Sequence, residues 1–187
     1  MFQLLMKFSG VLAIFSAWIL VVYPAICYGI NTKKETISLA TLGNKKVEKI
    51  VGLGLIVGTL FQIVFLFYLT QKFFLSYLNF GCLLYLSANL ATILVAIFTY
   101  RKHQIIHTFF TRYYFFMMPI SLVLIVFPIR NTSAHILFSF SLLILVLYLL
   151  GQIFLFTKHK EGNGLMQSWA FLTLSVWTLV MTFSPGL

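Results

Sequence analysis

The residues most suited to chemistry surround a histidine that follows a Phe-Pro pair. His135 lies five positions after Arg130, and Asn131 and Ser133 lie between them. A guanidinium, an amide, a hydroxyl and an imidazole can together bind a phosphate or a carboxylate. The same stretch could instead cap the helix that His135 begins, with Asn131, Thr132 or Ser133 as the N-cap. Both interpretations stay open, and the former predicts a ligand or lipid head-group site.

Two further histidines, His103 and His107, are four residues apart and so share one helix face. That spacing suits a metal site. Their neighbours Arg101, Lys102 and Arg112 repel a cation, however, and no acid or thiol lies nearby in the sequence. We therefore predict a basic cluster at the membrane interface that contacts anionic head groups, and no metal.

Three uncharged polar side chains, Gln62, Asn79 and Asn89, fall within long apolar runs. Polar groups at membrane depth are candidates for function, but hydrogen bonds between helices are their commoner use. The sequence favours structural hydrogen bonding, with ligand contact as the alternative.

Acid-dependent catalysis has little support in this composition. The chain has no Asp, and its three acids, Glu35, Glu48 and Glu161, are expected in connecting loops. The chain contains neither a Gly-x-Ser-x-Gly nor a His-Glu-x-x-His motif, and no phosphate-binding loop. We predict no catalytic residue and no cofactor.

Six long apolar runs must position these residues. Each is close to the ~20 residues that cross a bilayer as a helix, and helices satisfy their own backbone hydrogen bonds there. The sequence predicts an all-α integral membrane bundle of six transmembrane helices in a single domain, residues 1–187. The expected spans are 8–30, 51–70, 77–100, 113–129, 134–157 and 165–184.

Positive charge assigns the two sides of this bundle. The net charge of +10 does not indicate nucleic-acid binding, because the basic residues lie at span ends, where they orient the chain. The odd-numbered connections hold ten Lys and Arg residues, against three elsewhere. We expect a bacterial or archaeal cytoplasmic membrane, with the odd loops cytoplasmic and both termini outside.

Small residues and one apolar loop indicate how the helices pack. Gly54 and Gly58, four apart, predict close contact between helices. The connection before them carries apolar Ile37 and Leu42, which predict that it lies on the membrane surface or folds back over the bundle. Asn44 is the expected N-cap of the second helix.

The pattern resembles a six-span family, the domain of unknown function 998, and is similar in layout to DRAM/Frag-type proteins. The likeness rests on Ile37-Ser38-Leu39-Ala40-Thr41-Leu42-Gly43, on Phe127-Pro128 with His135, and on Trp177 in the last span. Where the family carries acids, this chain has Ala40 or Thr41 and Ile129-Arg130. The resemblance therefore implies a fold, without shared acid–histidine chemistry.

These observations favour a non-catalytic bundle that binds lipids, expected to be anionic, or that accompanies another membrane protein or a second copy of itself. The alternative is a lipid-active enzyme or small transporter whose site lies at the outer mouth around His135. A pore is the least favoured interpretation, because the interior holds few polar groups.

Overall fold

The fold is all-helical throughout the residues that the structure describes. This computed structural model describes residues 2–27, 37, 44–76, 78–132, 134–158 and 164–185. Six helices are long and apolar enough to cross a membrane, as the sequence predicts. Helix α1 joins Phe2–Ser16, a π-helical segment Ala17–Val22, and Tyr23–Cys27. The others are α2 Lys45–Lys72, α3 Phe80–Ile97, α4 Gln104–Val126 with a 3-10 turn Phe127–Ile129, α5 His135–Lys158 and α6 Gly164–Phe183.

Several helix boundaries differ from the expected ones because polar residues also form helical turns. Helix α2 begins at Lys45 rather than residue 51, since Asn44 caps it by accepting hydrogen bonds from the amides of Lys46 (3.0 Å) and Val47 (3.3 Å). The predicted N-cap is thus confirmed. Helix α4 likewise begins at Gln104 rather than residue 113. An apolar run marks the part of a helix within lipid and does not mark where its backbone hydrogen bonds end.

Asn79 lies outside the span in which the sequence placed it. Helix α3 begins at Phe80, and the Asn79 side chain accepts a hydrogen bond from the Gly81 amide at 2.8 Å. Asn79 is therefore the N-cap of α3 and not a polar group in the interior of that helix.

Each helix packs against the next along the chain, and α6 packs back against α1. A side-chain hydrogen bond crosses each of these six interfaces. Such bonds, with close packing, hold helices together where lipid removes the hydrophobic driving force. The bonds join Ser16 to the Gly54 carbonyl (α1–α2), Tyr85 to Gln62 (α2–α3), Ser87 to Tyr113 (α3–α4), Tyr148 to the Phe115 carbonyl (α4–α5), Trp177 to Ser141 (α5–α6) and Trp18 to Ser175 (α6–α1).

The π-helical segment of α1 has a local cause. Pro24 has no amide hydrogen to donate to the preceding turn. The Tyr23 amide instead reaches the Trp18 carbonyl, five residues back, and a single π turn accommodates such a change in register. This part of α1 lies against α2, where the Gly54 carbonyl accepts a hydrogen bond from Ser16 at 3.0 Å.

Glycine is required where α2 meets this segment. A Cβ atom on Gly54 would lie 2.5 Å from the Leu20 Cβ, whereas one on Gly52 would meet only the Ala96 carbonyl oxygen, at 3.9 Å. We expect Gly54→Ala to lower the free energy of unfolding by about 1–3 kcal/mol through overpacking. The matched change Gly52→Ala should cost nothing, because alanine favours a helix by up to about 1 kcal/mol. Unfolding in mixed micelles measures both; equal losses would contradict this packing.

The ends of the helices define two ends of the bundle. The odd end is formed by the last turns of α1, α3 and α5 and the first turns of α2, α4 and α6, and the opposite helix ends form the even end. At the odd end, the Ile37 amide donates to Gln167 Oε1 at 2.8 Å, and Ile37 is buried against Val21, Val47 and neighbouring apolar residues. Ile37 therefore packs against the bundle, which is one of the two courses expected for the first connection. Leu42 lies outside the described residues.

Candidate ligand cavity

The predicted group around His135 does not converge on a common point. Arg130, Asn131 and His135 are all exposed at the even end, and Ser133 lies outside the described residues. Arg130 donates to the Phe127 carbonyl at 3.2 Å, and its guanidinium lies over the Phe127 ring at 4.0 Å. His135 Nδ1 lies 3.2 Å from the Thr132 carbonyl. These contacts within one segment favour the helix-cap interpretation, and the ligand site there stays a prediction.

The predicted basic interfacial cluster separates into exposed and buried members. Arg101, Lys102, His103 and Arg112 are exposed. His107 is not part of that surface, because it is 6% exposed and its Nδ1 lies 3.1 Å from the Val95 carbonyl and 2.8 Å from that of Phe98. The reason is that α4 begins at Gln104, so His103 lies outside the helix while His107 faces α3 instead of the membrane surface.

His107 lines a cavity at the odd end that the sequence did not reveal. The outer lobe of this cavity holds about 720 Å³ of empty space, counting any part open to solvent. Helices α1, α2, α3, α4 and α6 and the buried Ile37 form its walls. Its polar and aromatic lining comprises Glu48, Thr92, Thr99, Tyr100, His107, Thr111, Tyr114, Phe115, Gln167 and Phe171.

A deep lobe adjoins the outer lobe toward the middle of the bundle. It holds about 500 Å³ of empty space and shares five lining residues with the outer lobe. Two predicted intramembrane residues, Gln62 and Asn89, line it. Gln62 accepts a hydrogen bond from Tyr85, and Asn89 donates to the Tyr85 carbonyl at 2.9 Å. The Gln62 bond joins two helices, as the sequence favours, whereas the Asn89 bond lies within α3, and both side chains also lie at the cavity wall.

Glu48 does not lie in a connecting loop, which is where the sequence placed all three acids. It falls within the first turn of α2, where the spacing of Glu48, Gly52 and Leu55 places all three on one helix face. That face lines the outer lobe. The Glu48 carboxylate lies 3.9 Å from Arg101 Nε, and its side chain is 18% exposed. Extending the helix back to Asn44 would have revealed this position from the sequence.

One hydroxyl in the outer lobe has no partner among the described residues. Thr111 Oγ1 is buried and makes no hydrogen bond to any of them. Buried polar atoms are nearly always hydrogen-bonded, to protein or to another molecule. Because Thr111 lines the outer lobe, this hydroxyl marks a point where a ligand or water could bind.

The chemistry of the cavity suits binding by shape and by a few polar groups. Its walls combine aliphatic and aromatic side chains with one carboxylate, one imidazole and several hydroxyls. Within the described part of the chain, no three His, Cys, Asp or Glu residues are grouped to hold a metal ion. Both lobes mix apolar walls with polar side chains, and the carboxylate and the imidazole lie in the outer lobe.

Comparisons with known proteins do not identify a family for this chain. No protein-family model, curated protein or solved structure matches the chain. The resemblance to the domain of unknown function 998 therefore stays a prediction.

Proposed function

We propose that this protein is a non-catalytic membrane bundle that binds one amphiphile in the cavity at its odd end. The observation that carries the proposal is the two-lobed cavity, whose one carboxylate and one imidazole lie in the outer lobe and whose deep lobe is lined by apolar and uncharged polar side chains. A lipid or similar molecule likewise combines a charged or polar head group with an uncharged chain. We further propose that the odd end faces the cytoplasm, because the odd connections carry most of the positive charge.

The lining of the cavity supports this proposal. Small-molecule sites typically have mainly apolar walls and a few placed polar groups, and both lobes have this mixture. Phe115 and Phe171 form an aromatic pair on the wall, with ring centroids 6.2 Å apart.

The contacts of His107 favour binding over catalysis. His107 Nδ1 lies within hydrogen-bond distance of two backbone carbonyls, and this fixes its ring against α3. The imidazole is therefore held as part of the wall.

Filling the cavity from Gly52 tests the proposal. The space beside Gly52 is open, since a Cβ there would meet only one atom, at 3.9 Å, and Gly52 lines the outer lobe. We expect Gly52→Leu to occupy the lobe and Gly52→Ala to leave most of it free. A polar lipid extract of the host membrane, added to delipidated protein, should raise the melting temperature of the wild type and of Gly52→Ala by roughly 5 °C.

The Gly52→Leu variant should show no such rise, while melting normally without lipid. An equal rise in all three proteins would mean that the lipid stabilises the outer surface of the bundle, and the proposal would fail. Normal melting of the lipid-free variant separates a filled cavity from a damaged fold.

A further inference from the structure

The charges and rings of the outer lobe indicate the kind of head group that it takes. Glu48 supplies the one carboxylate among the described lining residues, and no lysine or arginine is among them. Four aromatic side chains share the same walls, namely Tyr100, Tyr114, Phe115 and Phe171. Aromatic faces beside a carboxylate attract organic cations, since the ring quadrupole and the negative charge act in the same direction.

The geometry points to an alkylammonium head group as the ligand of this lobe, a proposal that rests on the function proposed above. The cation binds between the Glu48 carboxylate and the aromatic walls, and the attached chain extends into the deep lobe. Thr111 Oγ1, which has no partner among the described residues, is available to an oxygen or nitrogen of the head group.

The charges outside the lobe are consistent with this assignment. Arg101 lies 3.9 Å from Glu48 and is 38% exposed along its side chain, but it does not line the lobe. An ion pair of this length at a partly exposed site contributes little to stability, so the pair competes weakly with a ligand cation. In a zwitterionic head group, Arg101 is placed to meet the phosphate while Glu48 meets the ammonium.

His107 and Gln167 complete the polar lining near Glu48. His107 Nδ1 lies within hydrogen-bond distance of the carbonyls of Val95 and Phe98. Gln167 Oε1 accepts a hydrogen bond from the Ile37 amide. Both side chains therefore have backbone partners, which leaves the Glu48 carboxylate as the group suited to bind a cation.

Binding of amphiphiles with one chain length and different heads tests this inference. The probes are radiolabelled dodecyltrimethylammonium, dodecylphosphocholine and dodecyl sulfate, added to the full protein held in amphipol. Unspecific partitioning is measured on Gly52→Leu and subtracted. We expect both ammonium probes to bind at least tenfold tighter than the sulfate. Glu48→Gln should reduce that preference at least tenfold.

Arg101→Gln provides the matched control, because it removes the same ion pair and keeps the carboxylate. It should retain the binding of dodecyltrimethylammonium and weaken that of dodecylphosphocholine. Tighter binding of dodecyl sulfate, or an equal loss of all probes in Glu48→Gln, would overturn the ammonium assignment and leave amphiphile binding intact. If every probe binds equally well to the wild type and to Gly52→Leu, both proposals are overturned.

Discussion

Replacing Trp177 with alanine is expected to lower the free energy of unfolding by about 3 kcal/mol, the low end of the range for core tryptophans. Trp177 is fully buried among the helices, and its indole nitrogen donates to Ser141 Oγ at 2.7 Å. When the protein unfolds in a membrane or micelle, the Trp177 ring meets acyl chains instead of water. The free-energy cost of Trp177→Ala therefore comes mainly from lost packing. Unfolding of the purified protein in mixed micelles, followed by circular dichroism, measures the change.

Trp177→Phe separates packing from hydrogen bonding at the same position. Phenylalanine keeps most of the ring and loses the donor, while Ser141 still donates to the Leu137 carbonyl at 2.8 Å. A hydrogen bond between membrane helices contributes about 1 kcal/mol, and we expect a loss of that size. Equal losses for the two substitutions would show that the ring is not tightly packed between α5 and α6.

Replacing Lys72 with methionine is expected to loosen the end of α6 and to cost about 2 kcal/mol, since hydrogen bonds to a charged group contribute roughly 1.5–3 kcal/mol in proteins. The Lys72 ammonium donates to the carbonyls of Met181 (2.6 Å) and Ser184 (2.7 Å) and to Ser184 Oγ (2.9 Å). It thereby satisfies carbonyls that the end of a helix leaves without partners. Hydrogen exchange should accelerate in the last turn of α6.

Lys7→Met is the matched control at the same end of the bundle. The Lys7 ammonium lies 6.0 Å from the Phe8 ring centroid and 5.7 Å from that of Phe183, and such contacts contribute about 0.5–1 kcal/mol at exposed sites. We expect little change in exchange at α6. If Lys7→Met accelerates that exchange as much as Lys72→Met does, the effect arises from lost positive charge and not from the hydrogen bonds.

The number and type of helices could be predicted because lipid imposes one requirement on the whole chain. A run of about 20 apolar residues has to be helical there, and six such runs became six helices. The ends of the helices were less predictable. The turns Lys45–Lys49 and Gln104–His107 begin and end with polar or charged residues, yet they continue the helices beyond the apolar runs.

The same boundary error concealed the cavity. The apolar pattern assigned Glu48 to a loop and His107 to an interfacial cluster, whereas both lie in first turns of helices that face the cavity. The Asn44 cap was the available signal, since a helix that begins there places Glu48 beside Gly52. The role of Lys72 depends on contacts between α2 and α6, which spacing along the chain does not specify.

Native mass spectrometry of the protein, extracted gently from its own membrane, tests the central claim most directly. We expect one lipid-sized molecule bound per chain in the wild type, in Gly52→Ala and in His135→Ala, and none in Gly52→Leu. The His135 variant belongs in the comparison because that residue is exposed at the opposite end of the bundle. Retention of the bound molecule in Gly52→Leu, or its loss in His135→Ala, would contradict a site in the cavity at the odd end.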